Sequence, residues 1–130
     1  MTEPGLGPIG QVARAVQDLS KAEAWYRDVL GLKHLYTFGK LAFFDCDGTR
    51  LFLEERSQIT VEGLKNDSVL YFRVPEIEAA FEQLKSRGVN FVAMPHMIFQ
   101  HPDGTEEWMA FFEDCDGGTL ALMSQVKKGG

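Results

Sequence analysis

The residues of this chain with chemistry to offer are its three histidines, an arginine in a strand-like run, and two stretches reading Asp-Cys-Asp-Gly. Imidazole titrates near neutral pH and is the common proton-transfer group, so His96 and His101, both in the stretch 95–105 close to Trp108, could supply a general acid or base. His101, next to the Pro102-Asp103-Gly104 turn signal, reads as a surface loop histidine. His96, between Pro95 and the apolar Met97-Ile98, reads equally as a ligand contact and as a packing residue. His34, inside the apolar run from Leu32 to Phe38, is a further pocket candidate of lower rank. Alternation places Val69, Tyr71 and Arg73 on one strand face and Leu70, Phe72 and Val74 on the other. A buried guanidinium is costly without a partner, so Arg73 is expected either to pair with a carboxylate, the commoner outcome, or to meet an anionic ligand.

The stretches from Asp45 and from Asp114 start like a calcium loop. They lack the third acidic ligand and carry Arg56 and Gln125 where the bidentate glutamate would stand, so they read as turns. Cys46 and Cys115 show no neighbour that would activate a thiolate, and two thiols alone do not make a disulfide framework. No Gly-x-Ser-x-Gly elbow and no phosphate-binding glycine loop is present.

The elements that position these residues come in two similar sets. The run from Ala42 to Leu53 (AFFDCDGTRLFL) recurs as Ala110 to Leu122 (AFFEDCDGGTLAL) with a single inserted residue. Upstream, Val16-Gln17-Asp18-Leu19 leads to Gly31-Leu32 as Val74-Pro75-Glu76-Ile77 leads to Gly88-Val89. A unit repeated only twice points to paired modules and not to a solenoid, which needs three or more. Each module reads as strand, helix and three strands. In the first, the strand is 11–16, Ser20 with Glu23 makes a capping box, Trp25, Tyr26, Val29 and Leu30 give a helical stripe, and Gly31 closes the helix. Strands follow at 33–37, 40–45 and 49–54, the last two joined at Asp47-Gly48. The second module has a strand at 69–74, a helix carrying Ile77, Ala80, Phe81 and Leu84, and strands at 90–94, 107–112 and 119–124. Residues 64–68 read as a polar linker and 95–105 as a long hairpin loop.

Length and composition set limits. A chain of 130 residues, 45% of them hydrophobic, closes one core of ordinary size, so one domain over 1–130 is expected, with modules at about 8–62 and 66–126. The net charge of −6 argues against nucleic acid as a partner. No apolar stretch reaches the length of a membrane span and the N-terminus has no signal-peptide pattern, so a cytoplasmic protein without membrane partners is expected.

The strand running into Val-x-Asp-Leu, the helix Ala22-Glu23-Ala24-Trp25-Tyr26-Arg27-Asp28-Val29-Leu30-Gly31-Leu32 and the Asp-x-Asp-Gly turn before each last strand resemble the vicinal-oxygen-chelate superfamily. This group holds glyoxalases, bleomycin-resistance proteins and extradiol dioxygenases. The resemblance covers nearly the whole chain and implies an α+β fold in which two paired βαβββ modules form half-barrels around a cavity. In catalytic members a divalent metal sits there, held by residues of the first and last strand of each module. Those positions fall on Gln11, Phe52, Val69 and Ala121, of which Gln11 alone offers a lone pair, whereas a metal site wants at least three protein ligands. The expectation is therefore a chain with no metal and no cofactor. It would bind an aromatic or amphipathic small molecule, of the bleomycin-resistance kind, with Gln11, Phe52, Val69, Tyr71, Arg73, His96, Trp108 and Ala121 as contacts. The rival from another class is an enzyme of the same superfamily, a lyase, isomerase or dioxygenase. It would use either a divalent metal on Gln11 with partners such as His96 and Glu54, or metal-free acid-base chemistry. The abundance of aromatic residues, 12%, together with the habit of relatives, points to a homodimer.

Overall fold

The computed structural model describes residues 4–59 and 68–127. The architecture is α+β and divides into two compact units, Met1–Lys65 and Asn66–Gly130, each a helix-backed sheet of four strands that stays open as a half-barrel. The expected linker lies, apart from Ser68, outside the described residues.

In the first unit, β1 (Gln11–Val16) leads to α1 (Leu19–Ala24), which continues as one π-helical turn over Trp25–Val29, and then to β2 (Lys33–Phe38), β3 (Leu41–Cys46) and β4 (Thr49–Glu55). The strand order is β1-β4-β3-β2, with β1 parallel to β4 and the other pairs antiparallel. Helix α1 packs on β3 and β4, so every second residue of those strands is sealed beneath it. Val16, Ala42, Phe44, Leu51 and Leu53 are buried there together with Tyr26. Arg14, whose place in the alternation is between Val12 and Val16, lies on this same side and is only 3% exposed. The buried arginine of the first strands is thus Arg14, whereas Arg73 is exposed.

The cap of α1 differs from the expected box. Asp18, extended at φ −125° and ψ 110°, accepts the Lys21 N–H at 3.1 Å, while Ser20 already lies within the helix. The shift follows from Asp18 being the last extended residue before the helix, since a cap must have non-helical backbone and a side-chain oxygen in reach of the first turn. Glu55 on β4 also takes the Leu19 N–H at 2.9 Å. The hairpin between β3 and β4 has left-handed backbone at both Asp47 (φ 54°) and Gly48 (φ 106°), the turn that matches strand twist.

The second unit repeats the plan with β5 (Leu70–Arg73), α2 (Ile77–Ser86), β6 (Phe91–Gln100), β7 (Glu106–Glu113) and β8 (Thr119–Val126) in the order β5-β8-β7-β6. Helix α2 packs on β6, β7 and β8 and buries Ile77, Phe81 and Leu84 against Ala110, Phe112, Leu120 and Leu122. The long loop expected at 95–105 is instead mostly strand: β6 runs to Gln100 and the connection begins at His101. Pro95 had argued for a loop because it lacks an N–H. It is accommodated because β6 is an edge strand whose pairing breaks register three times, once between Ala93 and His96, and edges and bulges are where a sheet tolerates proline.

Candidate functional site

Each sheet has one side closed by its helix and one open side, and the register decides which side chains share the open one. In the first unit, three rows cross the strands. Ala13, Phe52, Phe43 and Tyr36 align as one row; Gln11, Arg50, Asp45 and Lys33 flank it on one side, and Ala15, Glu54, Leu41 and Phe38 on the other. The middle row is an aromatic ladder. Tyr36 stacks on Phe43 with ring centroids 4.7 Å apart, and Phe43 meets Phe52 at 5.4 Å, the cross-strand contacts that stabilise a sheet face. Gln11 and Arg50 are joined across β1 and β4: Arg50 Nε donates to Gln11 Oε1 at 2.8 Å, and the guanidinium carbon lies 5.4 Å from the centre of the Phe43 ring. The open face of this unit therefore carries a fixed cation at the border of an aromatic strip.

In the second unit the equivalent row is Tyr71, Ala121, Phe111 and Ala93, followed by Arg73, Met123, Met109 and His96. Tyr71 is 45% exposed and sets its ring edge-on to Phe111 at 6.0 Å. Ala121 is fully buried, and half-buried Val69 precedes the first residue of β5. His96 is on a strand and not in a loop. Its Nδ1 donates to the Met94 carbonyl at 2.6 Å and its ring lies 6.3 Å from Phe111, so in the neutral form Nε2 is left as an acceptor. Trp108 departs from the expected set. It is paired with Ser124, in step with buried Ala110 and Phe112, so its indole belongs to the helix side and its Nε1 donates to Glu106 at 2.8 Å. Strand alternation forces this, because Met109 and Phe111 take the open side.

Toward the β6–β7 connection, His101 Nε2 donates to Glu107 Oε2 at 2.8 Å and Gln125 Nε2 donates to the same oxygen at 2.7 Å. These bonds, that from His101 foremost, hold the Glu107 carboxyl below the ordinary range. A shallow recess of about 490 Å³ lies alongside, lined by His101, Asp103, Gln125 and Lys127 among others. His34 is on the helix side of its own sheet. The Thr37 hydroxyl donates to Glu23 Oε1, so it accepts from His34 Nε2, 2.8 Å away. Burial, and then Asp45, raises the Cys46 thiol pKa, the opposite of an activated nucleophile.

Arg50 is the functional candidate that the sequence reading passed over. The signal was available, since Arg50 and Phe52 are two apart in one strand and must share a face. As to metal ligation, Gln11 already accepts from a guanidinium, Phe52, Val69 and Ala121 offer no lone pair, and Glu54 is engaged by Arg56 at 3.1 Å. Among the described residues no group of three His, Cys, Asp or Glu side chains is placed to hold a metal ion. No described helix is long and apolar enough to cross a membrane.

Comparison with known proteins gives the same architecture. A glyoxalase/bleomycin resistance protein/dioxygenase from Alicyclobacillus acidocaldarius superposes with a TM-score of 0.73 at 18% identity, covering 98% of this chain and 96% of that one. A glyoxalase/bleomycin resistance protein/dioxygenase from Nocardioides gives 0.69 at 19% identity, covering 98% and 89%. Lactoylglutathione lyase from Agrobacterium tumefaciens gives 0.61 at 22% identity, covering 92% and 95%. The sequence pattern of one family spans residues 8–122, and with two helix-backed βαβββ half-barrels in place the chain belongs to the Glyoxalase/Bleomycin resistance protein/Dioxygenase superfamily.

Proposed function

We propose that this chain is a small-molecule-binding protein of the bleomycin-resistance kind that holds an aromatic or amphipathic ligand against the open sides of its sheets without a bound metal. The observation that carries this reading is the Tyr36–Phe43–Phe52 ladder. A row of aromatic rings left uncovered by its own helix is a surface for a flat apolar molecule, and Gln11 bound to Arg50 is a poor start for a cation site, because a guanidinium already satisfies the amide oxygen and adds positive charge beside it. In the second unit Tyr71, Arg73 and His96 occupy the corresponding side and Val69 leads into it, so they remain contact candidates, whereas Ala121 lies buried beneath its neighbours in that row and Trp108 supports that sheet from behind.

Thermal-shift screening tests the reading. Planar aromatic compounds should raise the unfolding temperature, and sugars and nucleotides should not; Phe52→Ala should weaken the aromatic binders about tenfold, the usual cost of an aromatic contact. Stabilisation by sugars or nucleotides alone defeats it. Elemental analysis should find no stoichiometric zinc, nickel, manganese or iron, and one equivalent lost on Gln11→Ala would overturn the metal-free part. We further propose that the two units act as one domain, that the protein is a homodimer, supported by the exposed Leu35, Tyr36 and Phe38 on β2 and Val92, Met94 and Ile98 on β6, and that it works in the cytoplasm, where its free Cys46 and Cys115 would stay reduced.

A further inference from the structure

We propose that Arg50 is the acid-reading residue of the first sheet and that the ligand class is an aromatic carboxylate, a flat ring bearing its acid directly or on a short arm; this rests on the aromatic-ligand reading above. The Arg50 side chain is exposed yet held at two points. Its Nε is committed to Gln11 Oε1 at 2.8 Å, and its guanidinium carbon lies 5.4 Å from the centre of the Phe43 ring. With Nε used, the end-on edge formed by Nη1 and Nη2 is what remains, and that edge matches the two oxygens of a carboxylate. A guanidinium held in place gives up less freedom on forming such a pair.

The nearby carboxylates leave it available. Asp45 is its cross-strand neighbour but takes the Gly48 N–H at 3.0 Å, Glu54 further along β4 is engaged by Arg56, and Arg50 forms no ion pair with any described residue. The two other candidates for this task are less suited. Arg73 faces the field of Glu107, and the Nδ1–H of His96 is spent on the Met94 carbonyl. The polar row of Arg50 and the aromatic row of Phe52 are adjacent, spaced by two residues along a strand or about 7 Å. A ligand with a ring on one row and an acid on the other spans that step.

Calorimetry with 2-naphthoate and the isosteric 2-naphthamide tests the assignment. The unmodified protein should bind the acid about tenfold more tightly than the amide, the factor expected of one charge-assisted pair near the surface. Arg50→Gln should abolish the preference, so that acid and amide bind alike, and an unchanged circular-dichroism spectrum reports that the fold is intact. Arg50→Lys should recover part of the preference, because an ammonium keeps the charge without the fork. Phe52→Ala should weaken both probes by the same factor. Equal binding of acid and amide to the unmodified protein, or a preference that survives Arg50→Gln, overturns the role of Arg50 and leaves the aromatic surface standing. If neither probe binds, the aromatic-ligand reading and this inference fall together.

Discussion

At Glu107 two donors converge on one carboxylate oxygen, and the bond from His101 is the larger reason why its pKa is lowered. A carboxyl whose folded pKa is depressed contributes stability that is fully present above its unfolded pKa, about 4.3 for glutamate, and is lost as the pH falls through the lower folded value. Glu107→Gln should therefore lower the thermal midpoint at neutral pH. The gap from the unmodified protein should close as the pH is taken below about 4; a gap that stays constant down to pH 3 would show that the effect is not ionic. The contrast between Phe52 and Trp108 shows what could be read of single residues in advance. Phe52 is flanked by Leu51 and Leu53, and two leucines bound for the core leave the residue between them nowhere to go but the open side. Trp108 was placed by nearness to a supposed loop and not by its step from Ala110 and Phe112, which decides the matter. For Arg50 the spacing from Phe52 gave its face, but its partner Gln11 lies on a neighbouring strand, and no local pattern names that pairing.

Helix ends and turns were the most legible elements, because few residue types satisfy their backbone. Gly31 and Gly88 both have positive φ at the close of a helical segment, as a left-handed closing residue requires. A Cβ added at Gly88 would meet nothing within 4 Å, so Gly88→Ala removes no contact and should cost the torsional penalty alone, about 1 kcal/mol, read as a lower denaturant midpoint at unchanged m-value. Asp18→Ala should cost a similar amount, about 1 kcal/mol, while Ser20→Ala should be close to neutral. The reverse order would restore the expected capping box. The boundary of β6 was not legible, because a proline, three register breaks and a polar C-terminal end imitate a loop when strand pairing is not visible.

For the whole molecule, the repeat foretold the paired modules, and the two units have matching sheet orders because the copies keep the turn and the core residues that set topology. It did not foretell how the copies diverged. Along the equivalent open-side rows, Phe43 and Phe111 correspond, while Ala13, Phe52 and Tyr36 of one unit stand where the other has Tyr71, Ala121 and Ala93. Small and large residues have traded places, so a single set of pocket rules could not be carried from one half to the other. The homodimer is checked by light scattering at tens of micromolar, where a mass of twice the 14.6 kDa chain is expected and the single-chain mass would refute it. The irregular β6 bears on a different hazard. An outermost strand exposing Val92, Met94, Met97, Ile98 and Phe99 would, if straight, be a template for fibril growth by strand addition. Its three register breaks and the missing N–H of Pro95 interrupt the row of donors that an incoming strand needs, so the distortion acts as a guard against amyloid in a chain whose sheet edge is otherwise adhesive.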